Sequence, residues 1–307
     1  MSFSDSVVAK ALLALGRVSQ SLSRRGRMGL GKRIGNAMML ASKKRRAITV
    51  SNVAHAFPAA TNSERTGIVR EAYYNLGIVL AEVLAIPAHT PDEIAASVAF
   101  ENLAVLRNRV EARKPSILVS AHYGNWEYLA IAAGIQLGTS ITIVVHPQRN
   151  ARVAEILNSY RTRFGNTVVS MHDAARTLVR TIRDGGTIAF LVDQHADPGR
   201  DAWIDFFGRP TPTYEAPAAL ALRYNVPIIT GFAERLDDGT YAAPLQEIPM
   251  HDLENNPAGI RALTERHVRI LESTIRNHPG LWSWQHRRWR GDRPQPDSSS
   301  HSTPASS

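Results

Sequence analysis

Hydrophobic and polar positions along the chain follow two rhythms, and the change falls near residue 114. Before it, apolar residues recur at helical intervals, as in the stripe Val7, Val8, Ala11, Leu12, Leu15, Val18 and Leu22. The glycine- and arginine-rich stretch SRRGRMGLGKR reads as a link, and a basic helix through Lys43 to Phe57 follows, closed by Pro58. A third helix is predicted from about Asn62 to Ile86, stopped by Pro87, and Pro91 to Arg113 reads as one or two further short helices.

From Lys114 short apolar runs alternate with helical patterns. Strands are predicted at Ile117 to Val119, Ile141 to His146, Thr167 to Ser170, Thr187 to Val192 and from Val226 (VPIITGF), with a more polar strand near Tyr241 to Leu245. Helices are predicted from Asn125, from Ala151 to Phe164, from Asp173 to Arg183, up to Arg223, and over 257–278, and Asp193 to Tyr214 reads as a loop. The alternation implies an α/β fold, a mostly parallel sheet flanked by helices, preceded by an all-helical portion. The expected organisation is a basic, membrane-facing helical portion over 1–113, an α/β core over 114–290 and a polar, disordered tail over 291–307.

Composition narrows the chemistry. The 307 residues are 44% hydrophobic and 21% charged, a globular balance, and contain no cysteine, which excludes disulfides, thiolate metal sites and a cysteine nucleophile. The net charge of +9 is concentrated at the start: residues 1–50 hold eleven lysines and arginines against one acid, Asp5, and so carry more positive charge than the whole chain. An anionic partner is expected there. No apolar run reaches the length of a membrane span, whereas the first helix, with Lys10, Arg17 and Arg24 off its apolar stripe, suits either a membrane interface or the protein's own core. Gly26, Gly31 and Lys32 have P-loop spacing, but Arg33 stands where Ser or Thr is needed and no strand precedes them, so a basic turn is expected.

The densest chemistry is in SILVSAHYGNWEYL, residues 116–129. His122 follows a buried strand and precedes a helix capped by Asn125, the edge at which open α/β sheets bind ligands. A tight turn at Gly124 is expected to fold the Glu127 carboxylate onto the imidazole, and a carboxylate-oriented histidine is a general base. The plainer alternative is a loop histidine beside a helix-start acid. His146, with Arg149 and Asn150, and Asp193, Gln194 and His195 close other strands on the same edge, so they converge on His122. For Asp193, bracing the loop is weighed slightly above a catalytic role. Arg149, Arg176 or Arg200 are candidates for stabilising an oxyanion. Trp203, Phe206 and Phe207 suit an acyl-chain groove or a core, and LWSWQHRRWR, with Arg287 and Arg288, suits a membrane interface, phosphorylated head groups or nucleic acid. There is no Gly-x-Ser-x-Gly elbow or His-Glu-x-x-His motif, and nothing in the histidine spacing requires a metal.

HYGNWE at 122–127, Asp193–Gln194, the FFG of 206–208 and the ending HPGLWSWQHRRWR together resemble the lipid A secondary acyltransferases, the lauroyl and myristoyl transferases of Gram-negative inner membranes, over roughly residues 45–290. The chain is similar, less closely, to acyltransferases of phosphatidylinositol mannosides. The resemblance implies transfer of a fatty acyl group from acyl carrier protein, or coenzyme A, to a hydroxyl of a membrane glycolipid at the cytoplasmic face of the inner membrane. His122 would be the base and Glu127 its orienting acid, with no metal, cofactor or acyl-enzyme. Asn125, His146, Arg149, Asn150, Asp193, Gln194, Phe206, Phe207, Arg287 and Arg288 are the expected substrate contacts. Partners would be acyl carrier protein and an anionic lipid, with no nucleic acid. Three departures stand out: an amphipathic start where members carry a hydrophobic anchor, His146 where many carry Arg, and Glu where broader relatives carry Asp. Alternatives are another glycolipid or lysophospholipid acceptor, a thioesterase using water, and a noncatalytic binder of anionic lipid or nucleic acid.

Overall fold

The computed structural model describes residues 3–289 apart from 149 and 195. The expectations for Arg149, for His195 and for the tail from 291 lie outside the described residues.

Helices α1 (Phe3–Gln20), α2 (Arg24–Ala41), α3 (Lys43–Ala56) and α4 (Asn62–Ala85) open the chain. The glycine-rich stretch expected to be a link is the body of α2, and its glycines make a close helix crossing. A Cβ on Gly31 would lie 2.3 Å from Ile78 Cα, one on Gly35 2.2 Å from the Tyr73 carbonyl oxygen, and one on Gly77 2.1 Å from the Gly31 carbonyl oxygen. Glycine here lets the backbones of α2 and α4 touch, and that contact outweighs its weak helix propensity. The stripe on α1 divides: Leu12 and Leu15 pack inward, while Val7, Val8 and Val18 stay exposed.

Next come α5 (Pro91–Ala95), β1 (Val98–Glu101) and α6 (Ala104–Glu111). The segment predicted to be wholly helical therefore contains a strand, which forms because residues 98–101 find a parallel partner far away at Tyr241 to Pro244. The core continues with β2 (Ser116–Ser120), α7 (Trp126–Leu137), β3 (Ile141–Val145), α8 (Ala151–Thr162), β4 (Thr167–Ser170), α9 (Ala174–Arg183) and β5 (Thr187–Leu191). The expected loop after β5 contains the hairpin β6 (Ala202–Phe206) and β7 (Arg209–Thr213). Pro210 and Pro212 disguise β7, yet a two-stranded hairpin has a free side on which their missing donors cost nothing. Phe207 and Gly208 both take positive φ, at 53° and 74°, to turn it.

The chain then forms α10 (Ala216–Tyr224), β8 (Ile228–Gly231), β9 (Glu234–Arg235), β10 (Tyr241–Glu247) and α11 (Pro257–Asn277). The main sheet has the order β1-β10-β8-β2-β5-β3-β4. Strands β8, β2, β5, β3 and β4 run parallel, and only β10 against β8 and β9 is antiparallel. The α/β class expected from the sequence is the one observed. Among the described residues no helix is long and apolar enough to cross a membrane.

Candidate active site

The parallel register decides which residues meet. Ser120 on β2 is paired with Leu191 on β5, so His122 and Asp193 each stand two residues beyond the paired edge on neighbouring strands. The Asp193 carboxylate meets the His122 ring at Nδ1, 2.8 Å away, and accepts the His122 backbone N–H at 3.0 Å. Trp282 Nε1 donates to the same carboxylate at 2.8 Å. Burial alone would push the Asp193 carboxyl up, but the charge of His122 and these hydrogen bonds hold it below the ordinary range. An ionised Asp193 makes Nδ1 the donor and leaves Nε2 as the basic nitrogen.

Glu127 lies close enough for its charge to act on His122, but its hydrogen bonds go to other partners. It lies on the first turn of α7, where its side chain reaches across to α8, and Arg161 donates to it through Nε at 2.8 Å and through Nη2. Trp126 Nε1 adds a bond at 3.2 Å. Burial opposes ionisation of Glu127, and the Arg161 charge and hydrogen bonds overcome it, so its pKa is lowered. The contacts of Arg161 with Glu127 and of Trp282 with Asp193 were not legible in the sequence, one residue lying in a helical pattern and one in an aromatic ending, because neither follows a strand of its own.

The turn carrying His122 is held from beneath. Gly124 has φ +54° and its Cα passes so close to Ala233 that a Cβ would lie 1.5 Å from that carbonyl oxygen. Asn125 is fully buried and caps α7 by accepting the Tyr128 N–H at 3.0 Å, while its Nδ2 donates to Glu82 at 2.8 Å. Glu82 also accepts from Tyr241 Oη at 2.5 Å and pairs with Arg235 at 3.7 Å, and Arg235 donates to Asn75 at 2.6 Å. Burial and the Glu82 charge push the Tyr241 phenol well above its ordinary pKa. Asn125 thus serves as a buried structural post under the turn.

The C-terminal aromatic segment runs behind the same turn. Gly124 N–H donates to the Leu281 carbonyl at 2.9 Å, and Ser283 N–H to the His122 carbonyl at 3.0 Å. Trp282 and Trp284 are buried, and Phe206 and Phe207 pack with them and with Trp289. These aromatics form a core cluster, so Phe206 and Phe207 do not line the expected acyl groove.

The groove lies instead between the sheet and α7. A cavity of about 150 Å³ begins at His122, Trp126, His146 and Gln194 and extends along Leu118, Ile143 and Ala189 beneath Ala130 and Ala133. Phe100, Leu106 and Leu245 also line it, as do Glu127 and Arg161. His146 and Gln194 also border a second, polar cavity with Arg200, Arg287 and Arg288. Asn150 caps α8 through the Val153 N–H at 3.2 Å, and Arg176 is exposed on α9 beside a separate depression. No group of three or more potential metal ligands gathers among the described residues.

An oriented histidine at the mouth of an apolar cavity coincides with a family signature running almost end to end. The profile of the bacterial lipid A biosynthesis acyltransferases matches residues 4–291. The chain belongs to that family. As a lipid A biosynthesis acyltransferase family member it is an acyltransferase, and its curated relatives carry matching names. It is 23% identical over 260 residues to lipid A biosynthesis acyltransferase 2 of Shigella flexneri, covering 83% of this chain and 79% of that protein. It is 25% identical over 244 residues to the lipid A biosynthesis myristoyltransferase of Escherichia coli (strain K12), covering 79% and 74%. Membership in the acyltransferase family bears out the resemblance carried by HYGNWE and the aromatic ending.

Proposed function

We propose that this acyltransferase moves a fatty acyl group from the thioester of acyl carrier protein, or of coenzyme A, to a hydroxyl of a lipid A precursor. The observation that carries the reading is the His122–Asp193 pair at the entrance of the apolar cavity. The fatty chain lies in the cavity and brings its thioester carbonyl to the polar edge, where Nε2 of His122 faces the acceptor hydroxyl. Nε2 takes the hydroxyl proton as the oxygen attacks the carbonyl carbon. The tetrahedral intermediate then expels the thiolate, which receives that proton from the imidazolium. Asp193 fixes the tautomer and stabilises the imidazolium, and Arg161 holds Glu127 as a second, fixed negative charge nearby.

The protein works at the cytoplasmic face of the inner membrane as a peripheral enzyme. The exposed Val7, Val8, Leu13 and Val18 of α1, with exposed Lys10 and Arg17, support this by offering apolar contacts beside charges for anionic head groups. The basic residues of α2 and α3 also suit an acidic carrier protein. The test is incubation of the purified chain with a lipid A precursor and an isotope-labelled acyl thioester of acyl carrier protein or, in parallel, of coenzyme A, read by mass spectrometry. One added acyl group is expected, and it should be absent with His122→Ala. Transfer that survives that substitution, or none from the unaltered protein with either donor, would overturn the proposal.

A further inference from the structure

When an acceptor hydroxyl attacks a thioester, negative charge gathers on the carbonyl oxygen, and a hydrogen-bond donor already in place there is commonly the largest electrostatic aid to the reaction. His122 is not that donor, because Asp193 occupies its Nδ1 and Nε2 receives the hydroxyl proton. Another residue at the mouth of the apolar cavity has to supply it.

Among the described residues that line this cavity, most polar hydrogens are engaged elsewhere. Ser120 Oγ donates to the Gly231 carbonyl at 2.7 Å and Trp126 Nε1 to Glu127 at 3.2 Å. Arg161 is held by Glu127 and, at 3.0 Å, by Asn158. His146 and Gln148 are exposed. Of the arginines considered for this role from the sequence, Arg176 is exposed on α9 and lines neither cavity, and Arg200 is exposed and lines only the polar one.

Gln194 differs from these. It follows Asp193 directly, beyond the end of β5, and so stands beside the residue that meets the His122 ring. It is half-buried, it lines the apolar and the polar cavity alike, and its side-chain amide makes no hydrogen bond among the described residues. An unpaired amide costs far less at the edge of an apolar cavity than an unpaired charge does. Being neutral, it also leaves Asp193 to His122, whereas a cation at this position would compete for that carboxylate.

We propose that Gln194 is the oxyanion donor of this transferase, its Nε2–H directed at the thioester carbonyl oxygen where the two cavities meet. The inference rests on the acyl-transfer reading and adds to it a residue that touches the reacting atoms. As the acceptor oxygen bonds to the carbonyl carbon, the π pair moves onto the carbonyl oxygen and the hydroxyl proton passes to Nε2 of His122. Gln194 holds that oxygen until the pair returns, the carbon–sulfur bond breaks and the thiolate takes the proton from the imidazolium. The amide binds the anion more strongly than the ground-state carbonyl, and this difference lowers the barrier.

Gln194→Met keeps the length of the side chain and removes the donor. Initial rates of transfer should show kcat lower by about 10²–10³-fold with KM little changed. The pH dependence of kcat/KM should not move, because His122 and Asp193 are untouched, and a circular dichroism melt checks that the variant is folded. A second arm needs no turnover: a tetradecanoyl thioester of acyl carrier protein and, in parallel, of coenzyme A, isotope-labelled at the carbonyl carbon, is bound to the full chain carrying His122→Ala and read by infrared spectroscopy. Its carbonyl stretch should lie at lower frequency than in the same chain carrying Gln194→Met as well. Unchanged kcat, a loss confined to KM, or equal carbonyl frequencies would overturn the assignment, and a displaced pH profile would overturn it by showing that Gln194 acts through His122. An unaltered protein that transfers nothing overturns the acyl-transfer reading by itself, while the carbonyl frequency still decides the contact with Gln194. Failure of both thioesters to bind would overturn both.

Discussion

At the scale of single residues, the proposed mechanism rests on which nitrogen of His122 is basic, and Asp193 decides that by occupying Nδ1 at 2.8 Å. Removing the imidazole with His122→Ala should lower the transfer rate by about 10²–10⁴-fold with folding retained, as a lost general base does. Asp193→Asn should lower it by a comparable factor, since an amide can no longer stabilise the imidazolium, and initial rates with labelled acyl carrier protein measure both. Glu127→Gln belongs to a different class. It strips one partner from a buried ion pair with Arg161, so a stability loss of about 3–5 kcal/mol is expected, read as the shift of a urea midpoint. The strand-to-helix position of His122 was legible from a short apolar run followed by a capped periodic segment. Its partner was not, because proximity in sequence favoured Glu127, while the choice between acids depends on strand register. The same geometry was present in outline: Asp193 also follows directly on a buried strand, and two such positions on adjacent parallel strands meet.

Among the elements, the crossing of α2 and α4 is the most exacting contact. Glycines 31, 35 and 77 bring backbone against backbone, and side chains there have nowhere to go. Gly35→Val should destabilise the protein by at least about 1–3 kcal/mol, the usual cost of overpacking, whereas Gly29→Ala, on the same helix with open space around it, should be neutral or slightly stabilising; thermal melts of the two variants distinguish them. Periodicity could not reveal α2, since glycine punctuates turns far more often than it lines helix crossings. The strands β1 and β7 were hidden for related reasons. One is defined by a partner in the last third of the chain, and the other carries prolines that only a hairpin edge tolerates. Elements with local signals, such as β4 and α11, were predicted within about a residue of where they lie.

For the molecule as a whole, acid sensitivity follows from buried imidazoles. His267 on α11 is almost fully buried, neither ring nitrogen has a partner, and burial together with nearby Arg288 pushes its pKa down to about 3. Burial also lowers His55 and His89. The unfolded chain takes up protons near pH 6.5 that the native state refuses, so stability should fall as pH drops from about 6.5 towards 3, by up to about 1.4 kcal/mol per pH unit for His267, with His55 and His89 acting in the same direction. The depressed carboxylates Asp193 and Glu127 add a further loss that begins as pH falls through the ordinary carboxylate range near 4 and is complete once they protonate in the folded state. Denaturant unfolding between pH 5 and 8 should show a shallower slope in His267→Leu. Charge acts at this scale too: sedimentation with anionic vesicles should be weakened by salt and by Val7→Asp with Val18→Asp, both exposed positions on α1. The segment from Leu281 to Arg288 has a consequence of another kind. Because it supplies the indole that grips Asp193 and the backbone that backs the histidine turn, a nascent chain that stops short of it has neither brace for that turn.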